Sequence, residues 1–263
     1  MDLGLKDRVA IVAASSQGLG KAAAMALARE GAKLAICART AGKIQGAAEE
    51  IRTATGVEVL ARSLNVTEGE AVRGFVVETL ERFGRIDVCV TNAGGPPSKT
   101  FAETSPEDWT SAVNLNLMST IHFAREVLPV MQKQRWGRFI TITSVAVKQP
   151  IDGLILSNSV RSAVSGLVKS LANEYGKYNV LVNNVCPGYT RTERLTELAT
   201  RLAAGGNTTP EQIERRWTDQ VPLGRLAEVE EFASVVAFLA SERASYVTGS
   251  SIAADGGWVR GTY

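Results

Sequence analysis

The sequence predicts an α/β protein built on a doubly wound parallel sheet, with helices on both faces. Three observations predict it. Strand-like and helix-like segments alternate from Val9 to Ala254. The strand segments are apolar throughout rather than alternately polar, as strands covered on both faces are. The first strand runs through a glycine-bearing turn into a helix, Ala13-Ala14-Ser15-Ser16-Gln17-Gly18-Leu19-Gly20, and such a turn suits a nucleotide phosphate.

Each element follows from its local pattern. Val9–Ala13 is a short apolar run, hence a strand, and 18–30 has helical spacing with alanine-rich faces. Strand and helix then repeat at 33–38 and 41–55, and again at 57–64 and 68–83. A strand at 86–90 precedes a long helix at 107–134, kinked or ended near Pro129 because proline lacks an N–H donor. A strand at 139–143, a helix at 157–175, a strand at 180–185, a helix at 228–241 and a last strand at 250–254 complete the set. Right-handed crossovers make this a Rossmann-type three-layer αβα fold of about seven strands. No repeat, low-complexity tract or Pro- or Ser-rich linker divides residues 1–263, so one domain is expected. The stretch 192–220, rich in Arg, Glu and Thr and carrying Gly205-Gly206-Asn207, reads as a helical flap inserted between a strand and the next helix. Such segments often close over a ligand.

Bulk properties exclude several classes. Apolar residues make up 45% and charged residues 21%, an ordinary globular balance. A net charge of +2 gives no reason to expect nucleic acid or an anionic membrane as a partner. No apolar run approaches a bilayer span, and the first, Val9 to Ala14, reads as a strand rather than a secretory leader, so a cytoplasmic location is expected. Cys37, Cys89 and Cys186 each lie inside a strand-like run and read as buried free thiols. With His122 the only histidine, neither a His-based zinc site nor a serine–histidine–acid triad is expected, and no metal.

Further motifs surround the glycine turn. Asn92-Ala93-Gly94 follows the fourth strand. Trp109 precedes Asn116, and Gly137-Arg138 leads into Thr143-Ser144. Pro187-Gly188 with Thr192 follows the sixth strand. Gly224-Arg225 is followed by Ala244-Ser245-Tyr246-Val247-Thr248-Gly249 and Asp255-Gly256-Gly257. With these motifs the chain resembles the short-chain dehydrogenase/reductase family, near the 3-oxoacyl-acyl-carrier-protein reductases, over almost its whole length. The resemblance implies a dinucleotide bound by Ala14, Ser15, Ser16, Gln17, Gly18, Leu19 and Gly20, with Arg39, Asn65, Val66, Asn92, Ala93, Gly94, Pro187, Gly188 and Thr192. It implies a small carbonyl or alcohol substrate. It also implies a homo-oligomer, dimer or tetramer, formed through the helices containing His122 and 163–172 and through the C-terminal segment.

The chain departs from the family in the cofactor site, where Asn65 also replaces the family's aspartate near the adenine, and at the reaction centre. In the turn, Ala13 and Ala14 replace the family's Thr-Gly. A side chain held there in left-handed conformation costs roughly 1–2 kcal/mol, which would weaken binding. Relatives that prefer NAD usually place an acid after the second strand. Here Arg39 stands there with Lys43 nearby, and a guanidinium suits a 2′-phosphate, favouring NADP(H) over NAD(H).

The second departure is at the reaction centre. The resemblance assigns Ser144 to orienting the carbonyl and Asn116 to holding a relay water, with Asn114 a competitor set aside by its spacing from Trp109. The family's acid is a tyrosine thirteen residues after that serine, and a lysine four further on tunes it and holds the nicotinamide ribose. Those positions carry Ser157 and Arg161. An aliphatic hydroxyl is a far weaker acid than a phenol titrating near ~10. A guanidinium holds charge and donates hydrogen bonds but does not shuttle protons. Tyr189, after Pro187-Gly188, is the one tyrosine placed to substitute, whereas Tyr175 and Tyr178 read as packing residues. Two readings follow: an oxidoreductase with altered proton delivery, or a binding or scaffold protein on the same fold that has lost turnover.

Overall fold

The computed structural model describes residues 2–206 and 208–262. Met1, Asn207 (with its place in the Gly205-Gly206-Asn207 turn) and Tyr263 lie outside them. Seven parallel strands form one sheet in the order β3-β2-β1-β4-β5-β6-β7. They are β1 (Val9–Ala13), β2 (Lys33–Ala38), β3 (Val59–Ser63), β4 (Val88–Thr91), β5 (Gly137–Ile142), β6 (Val180–Pro187) and β7 (Ser251–Ala254). Helices α1 (Gly18–Arg29), α2 (Ala41–Thr55), α3 (Gly69–Phe83), α4 (Pro106–Ala112), α5 (Ser119–Gln134), α6 (Ile155–Tyr175) and α9 (Val229–Ala240) connect them, with α7 (Glu193–Ala204) and α8 (Pro210–Thr218) between β6 and α9. This is the Rossmann-type architecture expected from the alternation of elements.

Strand parity sorts the core into two layers, because successive side chains point to opposite faces. Ala10, Val12, Leu34, Ile36, Val88, Val90 and Ile140 pack with α1, α2 and α9 through Ala24, Leu27, Ile44, Ile51, Phe232 and Val236. Ile11, Ala13, Ala35, Cys37, Cys89, Phe139 and Val182 pack on the other face with α3, α5 and α6 through Phe75, Val76, Phe123, Val127, Val164 and Val168. Alanines on the inner face of α1 (Ala23, Ala24, Ala28) keep that helix close to the sheet and to α9. Burial pushes the Cys37 thiol up to about 12 and raises Cys89, so both stay protonated packing groups.

The structure corrects several boundaries. The third strand is 59–63, shorter than the expected 57–64, the fourth is shifted to 88–91, and the sixth extends to Pro187. Helix α6 begins at Ile155, two residues before Ser157. Pro129 neither ends nor replaces the long helix. It sits on an exposed face of α5, where water can meet the carbonyl that its missing N–H would have engaged. The irregularity lies upstream instead, in a π-helical stretch, Val113–Met118, between α4 and α5.

At the N-terminal end of the sheet, the side chain of Asp87 is fully buried and its carboxylate is saturated. It accepts from Val9 N at 2.9 Å, Arg8 Nη1 at 3.1 Å, and Arg85 Nε and Nη2 at 2.7 and 2.6 Å. Arg8 and Arg138 stack on the indole of Trp136, at 3.9 and 4.2 Å from its centroid. Asp87→Ala strands these donors, and we expect it to lower the unfolding free energy by about 2–4 kcal/mol in denaturant titrations.

Candidate active site

The sheet order reverses between β1 and β4, and in open α/β sheets ligands bind beyond the carboxyl ends of the strands at such a reversal. Ala14 stands at the exit of β1 with φ +48°, the left-handed geometry that glycine tolerates best. Gly20 is forced to be glycine by close approach. A Cβ on it would collide with the Ala14 carbonyl and come within 3.0 Å of Asn92 Nδ2. Asn92 Nδ2 also donates to the Ala14 carbonyl at 3.4 Å, tying the turn to the end of β4. No side chain caps the first turn of α1, where Gln17 is the N-cap. Its amides and the helix dipole are therefore available to an anion.

Other residues of the expected dinucleotide set divide. Ser15 is fully buried and gives its hydroxyl to the Val12 carbonyl at 2.8 Å, so its side chain serves the turn. Ser16, Gln17, Gly18 and Leu19 keep solvent access, and Lys43 Nζ donates to Gln17 Oε1 at 3.0 Å. Arg39 is exposed at the end of β2, with no side-chain partner among the described residues. Asn65 is largely spent locally: its amide donates to Glu68 Oε1 at 3.2 Å and its oxygen accepts from Thr67 N at 3.2 Å, while Val66 is buried. Ala93 packs against the core, and Gly94 has open space where a Cβ would stand. Gly188 lies against Asp255, and Thr192 caps α7 by accepting from Leu195 N at 3.3 Å, with its methyl facing Gly18.

The π-helical stretch presents Asn116 inward. Asn116 is 5% exposed and donates from Nδ2 to the Gly94 carbonyl at 2.8 Å, whereas Asn114 is exposed. Among the described residues, Asn116 Oδ1 and Thr91 Oγ1 are enclosed without a partner. Such orphans mark places for water or a ligand group. Ser144 follows β5 and accepts from Ala146 N at 3.1 Å, leaving its own O–H to donate. Helix α6 packs against that turn and carries Ser157 and Arg161, both buried. Arg161 Nη1 donates to the carbonyls of Ile142 at 3.2 Å and Thr143 at 2.9 Å. Burial, with the positive Arg194 nearby, pushes its guanidinium down to about 10, which leaves it charged at neutral pH.

Tyr189 does not stand as a free acid. It stacks on Trp217 of α8 (5.4 Å, 12°) and meets Trp258 edge-on (5.6 Å, 73°), and burial raises its pKa. Tyr175 and Tyr178 pack together at the far end of α6.

Sequence reasoning missed three features here. Asn184 is fully buried in β6, accepting from Thr141 and Thr143 at 2.9 and 2.8 Å and donating to Ser165 and Ser251 at 3.1 Å each. A polar residue in an apolar strand was the available signal. The aromatic group joining α8 to the C-terminal segment links residues distant in sequence. Gly95 was the third: a Cβ there would meet the guanidinium of Arg194, within 2.6 Å of Nη1. Among the described residues, no group of His, Cys, Asp or Glu is arranged to hold a metal ion, and no helix is long and apolar enough to cross a membrane.

Comparison with known proteins agrees with this geometry. A family profile described as enoyl-(acyl carrier protein) reductase matches residues 13–259. The 3-oxoacyl-[acyl-carrier-protein] reductase FabG of Aquifex aeolicus is 34% identical over 98% of this chain and 99% of its own length. FabG of Pseudomonas aeruginosa is 34% identical over 97% and 98%. L-Sorbose reductase from Gluconobacter frateurii, solved with NADPH and L-sorbose, superposes with a TM-score of 0.95 at 32% identity, over 99% of this chain and all of that one. Levodione reductase gives 0.92 at 30%, over 98% and 99%. The chain belongs to the short-chain dehydrogenase/reductase family.

The strain at Ala14 is open to a direct test. Ala14→Gly relieves the positive φ, and we expect it to raise the unfolding free energy by about 1 kcal/mol in a denaturant titration.

Proposed function

We propose that this protein is an NADP(H)-dependent oxidoreductase interconverting carbonyl and alcohol groups, with Ser157 and Arg161 in place of the usual acid–base pair. The observation that carries the reading is the switch point between β1 and β4, where a glycine that tolerates no Cβ and an uncapped helix N-terminus follow β1, and the orphaned Thr91 Oγ1 ends β4. Those features fit a dinucleotide. The turn from Ala14 to Gly20 would hold its pyrophosphate, Arg39 a 2′-phosphate, and Asn92–Gly94, Pro187, Gly188 and Thr192 the remainder. The structural relative solved with NADPH supports the choice of cofactor. Bound there, the reduced nicotinamide supplies hydride.

This chain's residues provide the rest. The Ser144 hydroxyl, free to donate, orients a carbonyl oxygen. Asn116 Oδ1 accepts from a water that relays the proton. Ser157 contributes a hydroxyl too weak in acidity to replace a phenol, so water carries the proton and the reaction is slow. Arg161 holds positive charge beside the reacting atoms without giving up a proton. Residues 1–263 act as one domain, with α7 and α8 as the flap over the substrate, in a dimer or tetramer. Ala14 weakens dinucleotide binding, and Ala14→Gly should tighten it.

The capture of Arg161 by two backbone carbonyls favours a second reading, a nucleotide-binding or scaffold protein on this fold without turnover. NADPH consumption with a panel of ketones and alcohols separates the two. Binding without consumption of any substrate supports the second.

Two variants test the assignments. Ser157→Tyr with Arg161→Lys restores an acid and its tuning cation, and should raise reduction of a 3-oxoacyl substrate by about 10²–10⁴-fold, the usual worth of general acid catalysis. No gain with cofactor bound removes the placement of residues 157 and 161 at the reacting atoms. Arg39→Ala should cut the ratio of NADPH to NADH affinity by about 10–100-fold, the worth of one charge-assisted hydrogen bond. An unchanged ratio sinks the assignment of Arg39.

A further inference from the structure

Two arginines stand at the same end of the sheet without a counter-ion. Arg161 is 7% exposed, and its Nη1 is occupied by the β5 carbonyls. Among the described residues Nε and Nη2 meet no acceptor. Neither is among the fully enclosed unpartnered atoms, although Arg161 as a whole is buried. Arg194, in the first turn of α7, is exposed along its length but lays its guanidinium over Gly95, where glycine leaves room for it. Gly95 follows β4 and Thr143 follows β5, and these strands are paired neighbours, Thr91 opposite Thr141.

Some of the nearby charged groups are engaged elsewhere. Arg191, three residues from Arg194, is paired with Glu214 and Glu228. Neither Arg194 nor Arg161 has an ion pair among the described residues. Asp255, near the end of β6, accepts from Gly257 N and Val259 N. Burial and repulsion from Arg201, against a weaker pull from Glu197, draw the Arg194 guanidinium down, and Arg194 in turn acts on Arg161. Unpaired cations partly withdrawn from water are stabilised by an incoming anion that accepts their free donors.

A dinucleotide's pyrophosphate has its own place at the glycine turn after β1, on the far side of β4. We infer that Arg161 and Arg194 together receive an anionic group, a carboxylate or a phosphate, carried by the carbonyl substrate. The Tyr189–Trp217 stack, met edge-on by the buried Trp258, follows β6 and would give the rest of that substrate an apolar neighbour. The inference rests on reading the cleft as a reductase site, and it deepens that reading by naming the substrate class.

Calorimetric titration of the full chain tests it with two matched pairs: acetoacetate against acetoacetamide, and dihydroxyacetone phosphate against dihydroxyacetone. Each is measured with and without NADPH. At least one charged member should bind about tenfold more tightly than its neutral partner, about 1.4 kcal/mol. Arg194→Gln, an exposed substitution that leaves the core intact, should erase that difference. Which pair shows it identifies carboxylate or phosphate. Equal affinities within both pairs, a preference that survives Arg194→Gln, or no binding by any of the four overturns the inference. So does a variant whose only defect is about tenfold weaker NADPH binding, which would assign Arg194 to the dinucleotide. A charge preference in a protein that does not bind NADPH supports the inference while refuting the reductase reading.

Discussion

The guanidinium of Arg161 fastens the longest helix of the protein to the end of β5. Two carbonyls, Ile142 and Thr143, protrude where the strand leaves the sheet, and Nη1 of Arg161 takes both. Position 161 therefore acts on more than its own surroundings. It fixes the height of α6 against the sheet, and with it Ser157, one turn earlier on the same face. It also steadies the strand end from which Ser144 emerges. A charge buried for this purpose must be kept hydrated or met by an opposite charge. Nη1 serves this anchoring, and Nε and Nη2 take no acceptor among the described residues.

A second constraint comes from the sheet itself. Parallel strands bring all their carboxyl ends to one edge, so residues far apart in sequence meet there without long-range design. Ala14, Asn92, Ser144 and Gly188 each leave a different strand at that edge. Cross-links between the exits are short polar contacts: Asn92 to Ala14, Asn116 to Gly94, and Asn184 to Thr141 and Thr143. At the opposite edge Asp87 gathers Val9 N and two arginines. The sheet is thus closed by charge at its amino end and by amides at its carboxyl end, which leaves the latter open to ligands.

Much of the fold was legible because its causes are local. Apolar runs such as Val9–Ala13 have no solvent-facing alternation, and glycines such as Gly56 and Gly84 end α2 and α3 in left-handed geometry. The π-helical stretch at Val113–Met118 was not legible, since nothing in Val-Asn-Leu-Asn-Leu-Met distinguishes a π turn from an α turn. Pro129 misled for a related reason. Its cost depends on whether the orphaned carbonyl can reach water, which is a property of the packed surface. At the site, the glycine turn after β1 and the four-residue spacing of Ser157 and Arg161 on one helix were readable from sequence. The spending of Asn65 on Glu68 and Thr67, the burial of Ser15, and the contact of Arg194 with Gly95 depend on tertiary placement and left no mark in the sequence.

Gly95 and Arg194 show how one substitution depends on another. A guanidinium can lie over the exit of β4 only where the backbone beneath it carries no Cβ. The same exit carries Gly94, whose carbonyl is held by Asn116 from the π-helical stretch. The irregular helix, the bare backbone and the arginine of α7 therefore adjoin at the exit of β4. Arg161 closes its far side, fixed to β5. A ligand entering this space meets positive charge on two sides and an unpaired amide oxygen between the helices. The two guanidinium groups favour negative charge on an oxygen placed between them. Ser157 and Arg161 hold α6 positions four residues apart, so the hydroxyl and the charge lie on one face of that helix.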